Sequence, residues 1–504
     1  MKVFGLRLPL FAVLVGISAL AMLIPASVAV VQQDHASGRS FFYSALLLCI
    51  LTLVAVFATQ AIRPAKSART HLAGLIAAYL LLPVVLAVPL ADSIGNTRVF
   101  NSYFEMVSAL TTTGASVFDP ARLSDAEHLW RALVGWLGGL LVWVTAAAVM
   151  APLNLGGFEV SSETQDRRIQ SNKSQILAAA PELRLRRAIG TLAPVYAGLT
   201  GVLWLLQVIA GEADLPALAH AMAVMSTSGI SPTGGLAGAQ GGLLSEVFIF
   251  AFFLFALSHH AFGDRLSPAT PGRLYQDREV RLAIYIVVVL TVLLFLRHWL
   301  GALEFDDQAN IGAALAALWG GLFTLMSFLS TTGFVSEFWS VARDWSGLPT
   351  PGLLLVALAL TGGGAATTAG GIKLIRVYAL YKHGRRELSK LTHPHSVAAG
   401  GRLGRRIRRE GAYIAWVFFM LFILSMAGVM VALSLTGLDF EQAFVLAAAA
   451  LSTTGPLAAV GADVPIAYAS LTDPAKAVLI GAMILGRVET LALIALFNPG
   501  FWRI

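Results

Sequence analysis

The stretch "SALTTTGASVF" at residues 108–118 places three consecutive threonines and a glycine between segments apolar enough to cross a bilayer. Similar stretches follow it: "AVMSTSGIS" around Gly229, "SFLSTTGFV" around Gly333 and "AALSTTGPL" around Gly455, with successive glycines 104 to 122 residues apart. One Ser/Thr-Gly match carries no weight, because such quartets occur by chance in any long chain. Four copies at similar spacing indicate internal repeats.

Composition places these repeats in a membrane protein. Of the 504 residues, 57% are hydrophobic and only 12% are charged, whereas about a quarter are charged in soluble proteins. Many apolar runs reach the roughly 20 residues that a transmembrane helix needs, while barrel strands would be shorter and alternating. The chain is therefore predicted to be an all-α integral membrane protein.

The positions of Lys and Arg predict the orientation in the membrane. Basic connections alternate along the chain with connections that are poor in Lys and Arg and often acidic, such as "GEADLP" and "EFDDQAN". Basic connections face the cytoplasm, which accounts for the net charge of +7 without a nucleic-acid partner. The basic set lies at residues 63–70, 167–187, 265–281 and 382–410.

The first apolar run covers residues 9–31 and contains "PASVAV", which resembles a signal-peptide cleavage site. The run is longer than the 7–15 residues typical of a signal-peptide core. We expect a retained helix rather than a cleaved signal.

The four repeats share a context. A long apolar run, an outer connection and a short helical segment precede each copy, and another apolar run follows it; the short segments read "NSYFEMVSAL", "LPALAHAMAVM", "NIGAALAALWGGLFTLMSFL" and "DFEQAFVLAAAAL". Non-helical backbone at membrane depth is tolerated only where it is buried or lines a water-filled cavity. The pattern predicts four parallel helix, pore helix, filter and helix repeats around one pore, plus two extra N-terminal transmembrane helices.

The residue types fit a cation filter. Glycine accepts positive φ without steric cost, so each segment is able to turn its carbonyls inward, where rings of carbonyls replace the hydration shell of a monovalent cation. The C-terminal ends of the short helices carry partial negative charge, which favours a cation. The alternative is four polar kinks in a packed bundle, which does not require matching flanks.

At these residues the chain resembles the Trk/Ktr/HKT superfamily of potassium transporters, most closely the bacterial TrkH type. The resemblance covers residues 70–504. It implies that each repeat supplies a quarter of a potassium-binding filter, at Thr112, Thr113, Gly114, Thr227, Ser228, Gly229, Thr331, Thr332, Gly333, Thr453, Thr454 and Gly455.

The resemblance also bears on selectivity. In plant members serine at the first filter glycine goes with sodium transport, so Gly114 indicates potassium. The second segment reads "STSGIS" and the fourth "TTGPLAAVG", in place of a Gly-Pro-Gly continuation, and both departures concern selectivity over sodium.

The repeats and the resemblance divide the chain into five units. They are the N-terminal helix pair at 1–69, repeat one at 70–160, repeat two at 161–265, repeat three at 266–395 and repeat four at 396–504.

A glycine-rich break interrupts the second long helix of repeat three. Residues 362–371 contain five glycines and two threonines, and glycine inside a helix costs up to about 1 kcal/mol relative to alanine. Close helix packing through small residues is the alternative. The resemblance implies an intramembrane gating loop formed by Gly362, Gly363, Gly364, Thr367, Thr368, Gly370 and Gly371.

The last apolar segment carries Arg487 and Glu489. Charged groups in such segments are costly and face a cavity or a partner. The resemblance implies that Arg487 faces the cavity beneath the filter, so we hypothesise that Arg487 and the loop form a closed gate. The alternative is a structural pairing of Arg487 with a carbonyl or carboxylate.

Other ionisable residues are less informative. We expect the acidic residues of the outer connections to be solvated, and the alternative is that they concentrate cations at the pore mouth. They are Glu212, Asp214, Glu304, Asp306, Asp307, Glu337 and Asp463. The "HHAFGD" stretch at 259–264 has no further His or Cys nearby, so we expect no metal site there.

The predicted function is channel-like potassium uptake across the bacterial cytoplasmic membrane, with potassium as substrate and no cofactor bound by this chain. The alternative is an ion-coupled potassium symporter using protons or sodium, although coupled transporters commonly have inverted or paired repeats. An enzyme would need a nucleophile and base or metal ligands at bilayer depth, and we find no such set. No Walker-type glycine-rich loop is present. The resemblance implies a homodimer and a cytosolic NAD/ATP-binding ring partner of the TrkA type.

Overall fold

The computed structural model describes residues 2–3, 6–7, 10–59, 68–150, 181–258, 277–302, 311–348, 350–392 and 402–489. The predicted metal-free stretch at 259–264 and the acidic residues Glu304, Asp306 and Asp307 lie outside these ranges, as do most residues of the basic connections at 63–70, 167–187 and 265–281. The described part of the chain is α-helical apart from a two-residue antiparallel pair, β1 (Lys2–Val3) with β2 (Leu6–Arg7).

Three helices precede the repeats. They are α1 (Leu10–Ala21), α2 (Leu23–Val31) and α3 (His35–Ala58). The predicted first helix at 9–31 is thus interrupted at Met22, although Phe11–Val31 together is long and apolar enough to cross a membrane. The Asp34 side chain accepts from the Ser37 N–H and caps α3.

A long helix, a shorter helix and a further helix then follow one another four times. The long helices are α4 (Ala68–Ile94), α7 (Pro181–Ile209), α10 (Arg278–Ala302) and α15 (Arg402–Ser434). The shorter helices are α5 (Val99–Leu110), α8 (Asp214–Ser226), α11 (Ile311–Leu329) and α16 (Phe440–Leu451). The helices that follow are α6 (Asp125–Thr145), α9 (Gly242–Leu257), α13 (Pro351–Thr361) and α18 (Asp473–Val488).

Smaller elements complete the described chain. A π-helical turn at Ala146–Met150 continues α6. Repeat three adds α12 (Trp339–Ser346) and α14 (Leu374–Thr392), and repeat four adds α17 (Leu457–Val460). Short 3₁₀ turns lie at Pro120–Arg122 and Tyr468–Ser470.

Eight of the described helical segments are long and apolar enough to span a membrane. They include Ile311–Leu329, so the short helix predicted for repeat three has 19 residues, more than its three counterparts. Its extra length lies at the N-terminal end, because the C-terminal end meets the Ser/Thr-Gly segment as in the other repeats.

The core surrounds the shorter helices. In α16 every residue from Val445 to Leu451 is at most 1% exposed, so this helix is buried on all sides, as an all-round apolar helix should be. Four consecutive alanines, residues 447–450, lie in this run, and small side chains let neighbouring backbones approach closely. By contrast, α3 exposes many large apolar side chains, such as Phe57 at 63%. The shorter helices therefore occupy the centre and α3 the periphery.

Candidate functional site

The four Ser/Thr-Gly segments follow directly on the C-terminal ends of α5, α8, α11 and α16. We call them segments one to four: residues 112–114, 227–229, 331–333 and 453–455. Every Ser and Thr in them is at most 1% exposed. Twelve residues from four distant parts of the sequence thus lie in the interior.

A shared backbone geometry ends all four shorter helices. The first residue of each segment is a threonine with φ between 53° and 60°; these are Thr112, Thr227, Thr331 and Thr453. Its N–H donates to the carbonyl three residues earlier, and the next N–H donates to the carbonyl five residues earlier. These two bonds form the Schellman motif, whose left-handed residue is usually glycine. A β-branched residue there is a strained outlier, and such strain clusters at functional sites.

These threonines were predicted as filter residues, but positive φ was expected only at the glycines. Three of the glycines do have positive φ, of +72° at Gly114, +63° at Gly229 and +82° at Gly333. Gly455 does not. The recurrence of threonine two residues before each glycine was the signal available in the sequence.

Each of the first two glycines lies against the next segment. A Cβ added to Gly114 would collide with the carbonyl oxygen of Ser228, and one added to Gly229 would collide with that of Thr332. Segment one therefore contacts segment two, and segment two contacts segment three.

The remaining contacts close the ring. A Cβ on Gly333 would meet the ring of Pro456, and one on Gly455 would collide with the backbone of Ala115. The Gly455 N–H also donates to the Thr113 carbonyl at 2.6 Å. Segment four thus touches segment one directly and segment three through Pro456, the residue that follows it. The four segments therefore form a closed ring of contacts in chain order.

Arg487, near the end of α18, joins two segments to the glycine-rich loop. Its Nε donates to the Thr111 carbonyl at 2.8 Å, and one terminal nitrogen donates to the Thr453 hydroxyl at 2.9 Å and to the Thr112 hydroxyl. The other terminal nitrogen donates to the Thr368 carbonyl at 2.7 Å. The arginine is 5% exposed, so its charge is held by buried oxygen atoms at the base of segments one and four.

The predicted break is present, since α13 ends at Thr361 and α14 begins at Leu374. The intervening loop contacts segment three and the end of α8. The Gly370 N–H donates to the Thr331 hydroxyl at 2.8 Å, and the Thr368 hydroxyl donates at 3.2 Å to the Met225 carbonyl, two residues before segment two. Together, Arg487 and the loop therefore contact segments one, three and four and the helix end that leads into segment two.

Glycine allows the close approaches within this loop. Gly362 and Gly371 have φ of +72° and +77° and lie against each other. Gly363 and Gly364 lie against backbone carbonyls at the end of α9, where a Cβ would collide. The sequence-predicted loop residues and Arg487 are all buried and belong to one cluster.

A buried ion pair beneath the loop was not predicted. Arg376 donates to the Glu489 carboxylate at 2.8 Å, and its guanidinium lies 3.6 Å from the centre of the Phe418 ring. Arg376 is fully buried and Glu489 is 8% exposed. Glu489 therefore pairs with Arg376, which lies on α14.

Two more buried charges hold the loop backbone. Lys373 bonds the Ala369 carbonyl, and Glu279, on α10, accepts from the Ala365 N–H at 2.9 Å. A cavity of about 30 Å³ lies between this loop, the π-helical turn and Arg487, which is room for about one water molecule. Glu279 and Arg487 from two helices, with Lys373 at the end of the loop, thus hold a segment that is not helical.

One prediction about the outer connections is wrong. Glu212 is not solvated but 4% exposed, and it contacts the buried His220 at 2.7 Å. The prediction treated the outer connections as one set, although His220 follows Glu212 by only eight residues. The exposed Asp463 does fit the expectation.

The structure is a multi-pass helical bundle in which four strained segments meet over a buried arginine. These features are those of a membrane transport protein. A family model described as TrkH, cation transport protein, matches residues 280–503. The chain is 30% identical over 414 residues to the Trk system potassium uptake protein TrkH of Halomonas elongata, with 80% of this chain and 79% of that protein covered.

Two further comparisons extend over nearly the whole chain. The Trk system potassium uptake protein TrkH of Salmonella typhimurium is 29% identical over 488 residues, with 96% of each chain covered. The crystal structure of the potassium transporter TrkH from Vibrio parahaemolyticus matches with a TM-score of 0.78 and 26% identity, covering 98% of both chains. The chain belongs to the TrkH family of cation transport proteins. This confirms the resemblance and assigns a multi-pass membrane transporter rather than an enzyme.

Proposed function

We propose that this protein carries potassium ions into the cell through a channel-like pore whose filter is formed by segments one to four. The observation that carries the proposal is the closed ring of contacts between the four segments. The relatives are named as potassium uptake proteins, which supports potassium as the transported ion. In this proposal the repeats at 70–160, 161–265, 266–395 and 396–504 are parallel and each supplies one quarter of the filter.

In the proposed filter, backbone carbonyl oxygens bind the ion. Carbonyl rings replace the hydration shell of a potassium ion, and each shorter helix ends at a segment with its partial negative charge. The Schellman motif fixes where each helix ends and where its segment begins. A fixed ring is what selection by cavity size requires.

The proposed gate is the 362–371 loop together with Arg487. The guanidinium donates hydrogen bonds to oxygens at the base of segments one and four. In this proposal an ion that leaves the filter toward the cytoplasm would contact the same oxygens. A positive charge in a buried path raises the barrier to a cation. Opening then requires Arg487 to release the Thr368 carbonyl, or the loop to move with it.

We also propose that this chain assembles as a homodimer with a cytosolic nucleotide-binding ring partner of the TrkA type. The support is the likeness to proteins named as parts of a Trk system and a sequence without a Walker-type loop. Pull-down of a purified NAD- and ATP-binding ring protein, with mass measurement of the complex, tests this assembly.

The experiment that tests the filter is potassium flux into liposomes with sodium competition. The wild type should prefer potassium over sodium. In Gly114→Ser the potassium-to-sodium flux ratio should fall about tenfold, which corresponds to about 1.4 kcal/mol, because the added Cβ meets the Ser228 carbonyl. Gly481→Ala is the matched control, since Gly481 lies in α18 with open space around it. Equal preference in wild type and Gly114→Ser would contradict the filter.

The gate is tested in the same liposomes. Arg487→Ala should raise potassium flux about tenfold or more, since removing the cation lowers the barrier, and Arg487→Lys should give an intermediate rate. Deletion of residues 362–371 should also raise flux. If the wild type conducts nothing alone, flux from the deletion variant separates a closed gate from a wrong assignment, and unchanged flux in every variant contradicts the gate.

A further inference from the structure

The residue nine positions before each filter glycine differs in chemistry between repeats. These residues are Glu105, His220, Thr324 and Leu446, and each lies on its shorter helix at 2% exposure or less. Three of them are polar in a place where burying a polar group without a hydrogen bond is costly. Each of the three has a partner just beyond its own filter glycine.

In repeat one the partner is a backbone N–H. The Glu105 carboxylate accepts from the Val117 N–H at 2.9 Å and, through its other oxygen, from Arg131 at 2.6 Å. Val117 lies three residues after the glycine of segment one. The side chain therefore ties the chain leaving the segment back to the helix that enters it.

Repeats two and three make the same kind of tie. His220 contacts the Ser231 hydroxyl at 2.7 Å, two residues after its glycine, and Thr324 accepts from the Ser336 N–H at 3.2 Å, three residues after its glycine. The other nitrogen of His220 contacts Glu212 at 2.7 Å. The histidine ring also packs edge-on against Phe334, which follows the glycine of segment three.

Simple geometry explains the spacing. After the glycine the chain runs back along its own helix, and three extended residues cover about 10 Å. The three helical residues lie five or six positions before their helix ends, which is about 7.5–9 Å from those ends. A side chain at this position is therefore level with the second or third residue after the glycine.

We propose that Glu105, His220 and Thr324 are positioning residues that hold the outer ends of segments one to three against their own helices. The inference rests on the proposed filter and adds residues that set its selectivity. In repeat four the equivalent residue, Leu446, is aliphatic and makes no such tie. There Glu441 accepts from the Asp463 N–H at 2.8 Å, eight residues after the glycine, and the Tyr468 hydroxyl donates to the Gly455 carbonyl at 2.9 Å.

His220 gives the sharpest test. His220→Leu copies the residue found in repeat four and removes both hydrogen bonds, so the potassium-to-sodium flux ratio in liposomes should fall about tenfold. His220→Gln keeps a polar end that reaches Ser231 and should restore the ratio to within about threefold of wild type. Leu446→Met is the matched control at the equivalent position and should keep the wild-type ratio.

A second measurement does not depend on transport. Hydrogen–deuterium exchange should rise in residues 230–236 of His220→Leu and of Ser231→Ala, and stay at the wild-type level in Leu446→Met. The inference is overturned if His220→Leu keeps the wild-type ratio and exchange, or if His220→Gln is as impaired as His220→Leu. A wild type without potassium preference would overturn the proposed filter and this inference with it.

Discussion

Segment four and segments one to three reach the same central position by different means. All four follow a Schellman motif with a left-handed threonine. Beyond that point segments one to three have a glycine with positive φ and a polar tie to their own helix within three residues of that glycine. Gly455 has no positive φ, and the tie in repeat four, from Glu441 to the Asp463 N–H, lies eight residues beyond it. Segment four has Pro456 and a bond from Tyr468 instead.

The difference separates two requirements. The helix end must be placed identically in each repeat, because the four segments meet, and the same backbone motif does this four times. The outer end of a segment needs only a hydrogen bond or packing contact that keeps it in place, so side chains of different chemistry are able to provide it. When all four repeats lie on one chain, the residues that hold the outer end are able to differ between repeats while the helix-end motif stays the same.

The largest expected effect is at a glycine that needs positive φ. Gly229→Ala should reduce flux about a hundredfold, because left-handed φ costs an alanine about 1–2 kcal/mol and its Cβ would also collide with the Thr332 carbonyl. Flux assays on protein of verified yield measure this. Gly428→Ala, at a helical glycine with open space in α15, should behave as wild type, and full flux in Gly229→Ala would contradict the ring.

Pro456 gives the next largest effect. A Cβ at Gly229 or Gly333 would meet the Pro456 ring, so the proline fills the space between segments two, three and four. Pro456→Ala should lower the potassium-to-sodium ratio about tenfold, since lost packing loosens the ring. The exposed Pro465 provides the control variant Pro465→Ala, and equal ratios in the two variants would show that the proline ring is not needed.

Tyr468→Phe should have a smaller effect. It removes one neutral hydrogen bond to the Gly455 carbonyl, worth about 1 kcal/mol, and should reduce the selectivity ratio about fivefold. Sodium competition measures this, with Tyr413→Phe at an exposed site as control. A wild-type ratio in Tyr468→Phe would mean that segment four is held by Pro456 alone.

The smallest effect is expected at the surface beside segment four. Arg98 and Asp473 form an ion pair at 3.3 Å, with side chains 77% and 52% exposed. Such pairs contribute about 0–1 kcal/mol, so Arg98→Ala should leave the thermal midpoint in detergent within a few degrees and the selectivity ratio unchanged. A large loss of selectivity would show that the outer surface, and not the buried contacts, distinguishes segment four.

Much of the fold was predictable because its signals are local. Hydropathy marks the long helices, and the four Ser/Thr-Gly copies mark the repeats. The interruption at Met22 and the π-helical turn after α6 were not predicted. These features depend on packing against other helices, which single-chain periodicity does not record.

The candidate site divides in the same way. Residues of the segments and loop stand out in the sequence as glycine and threonine in apolar surroundings. The partners do not, because Arg376 and Glu489 are 113 residues apart and Arg487 and Thr111 are 376 apart. Which buried charges pair is decided by the tertiary fold, and His220 gave no sign of its contact with Ser231 beyond being a histidine in an apolar helix.

The closed ring has a consequence for biosynthesis. Segments one and four are neighbours in space, yet their glycines, Gly114 and Gly455, are separated by 341 positions in the chain. At about 5–20 residues per second, the ribosome needs roughly 17 to 70 seconds to make the chain between them. For that time segment one lies in the membrane without the neighbour that donates to its Thr113 carbonyl. The first repeat must therefore stay folded in the membrane without this contact until repeat four is made. Repeat four then completes the ring of segments.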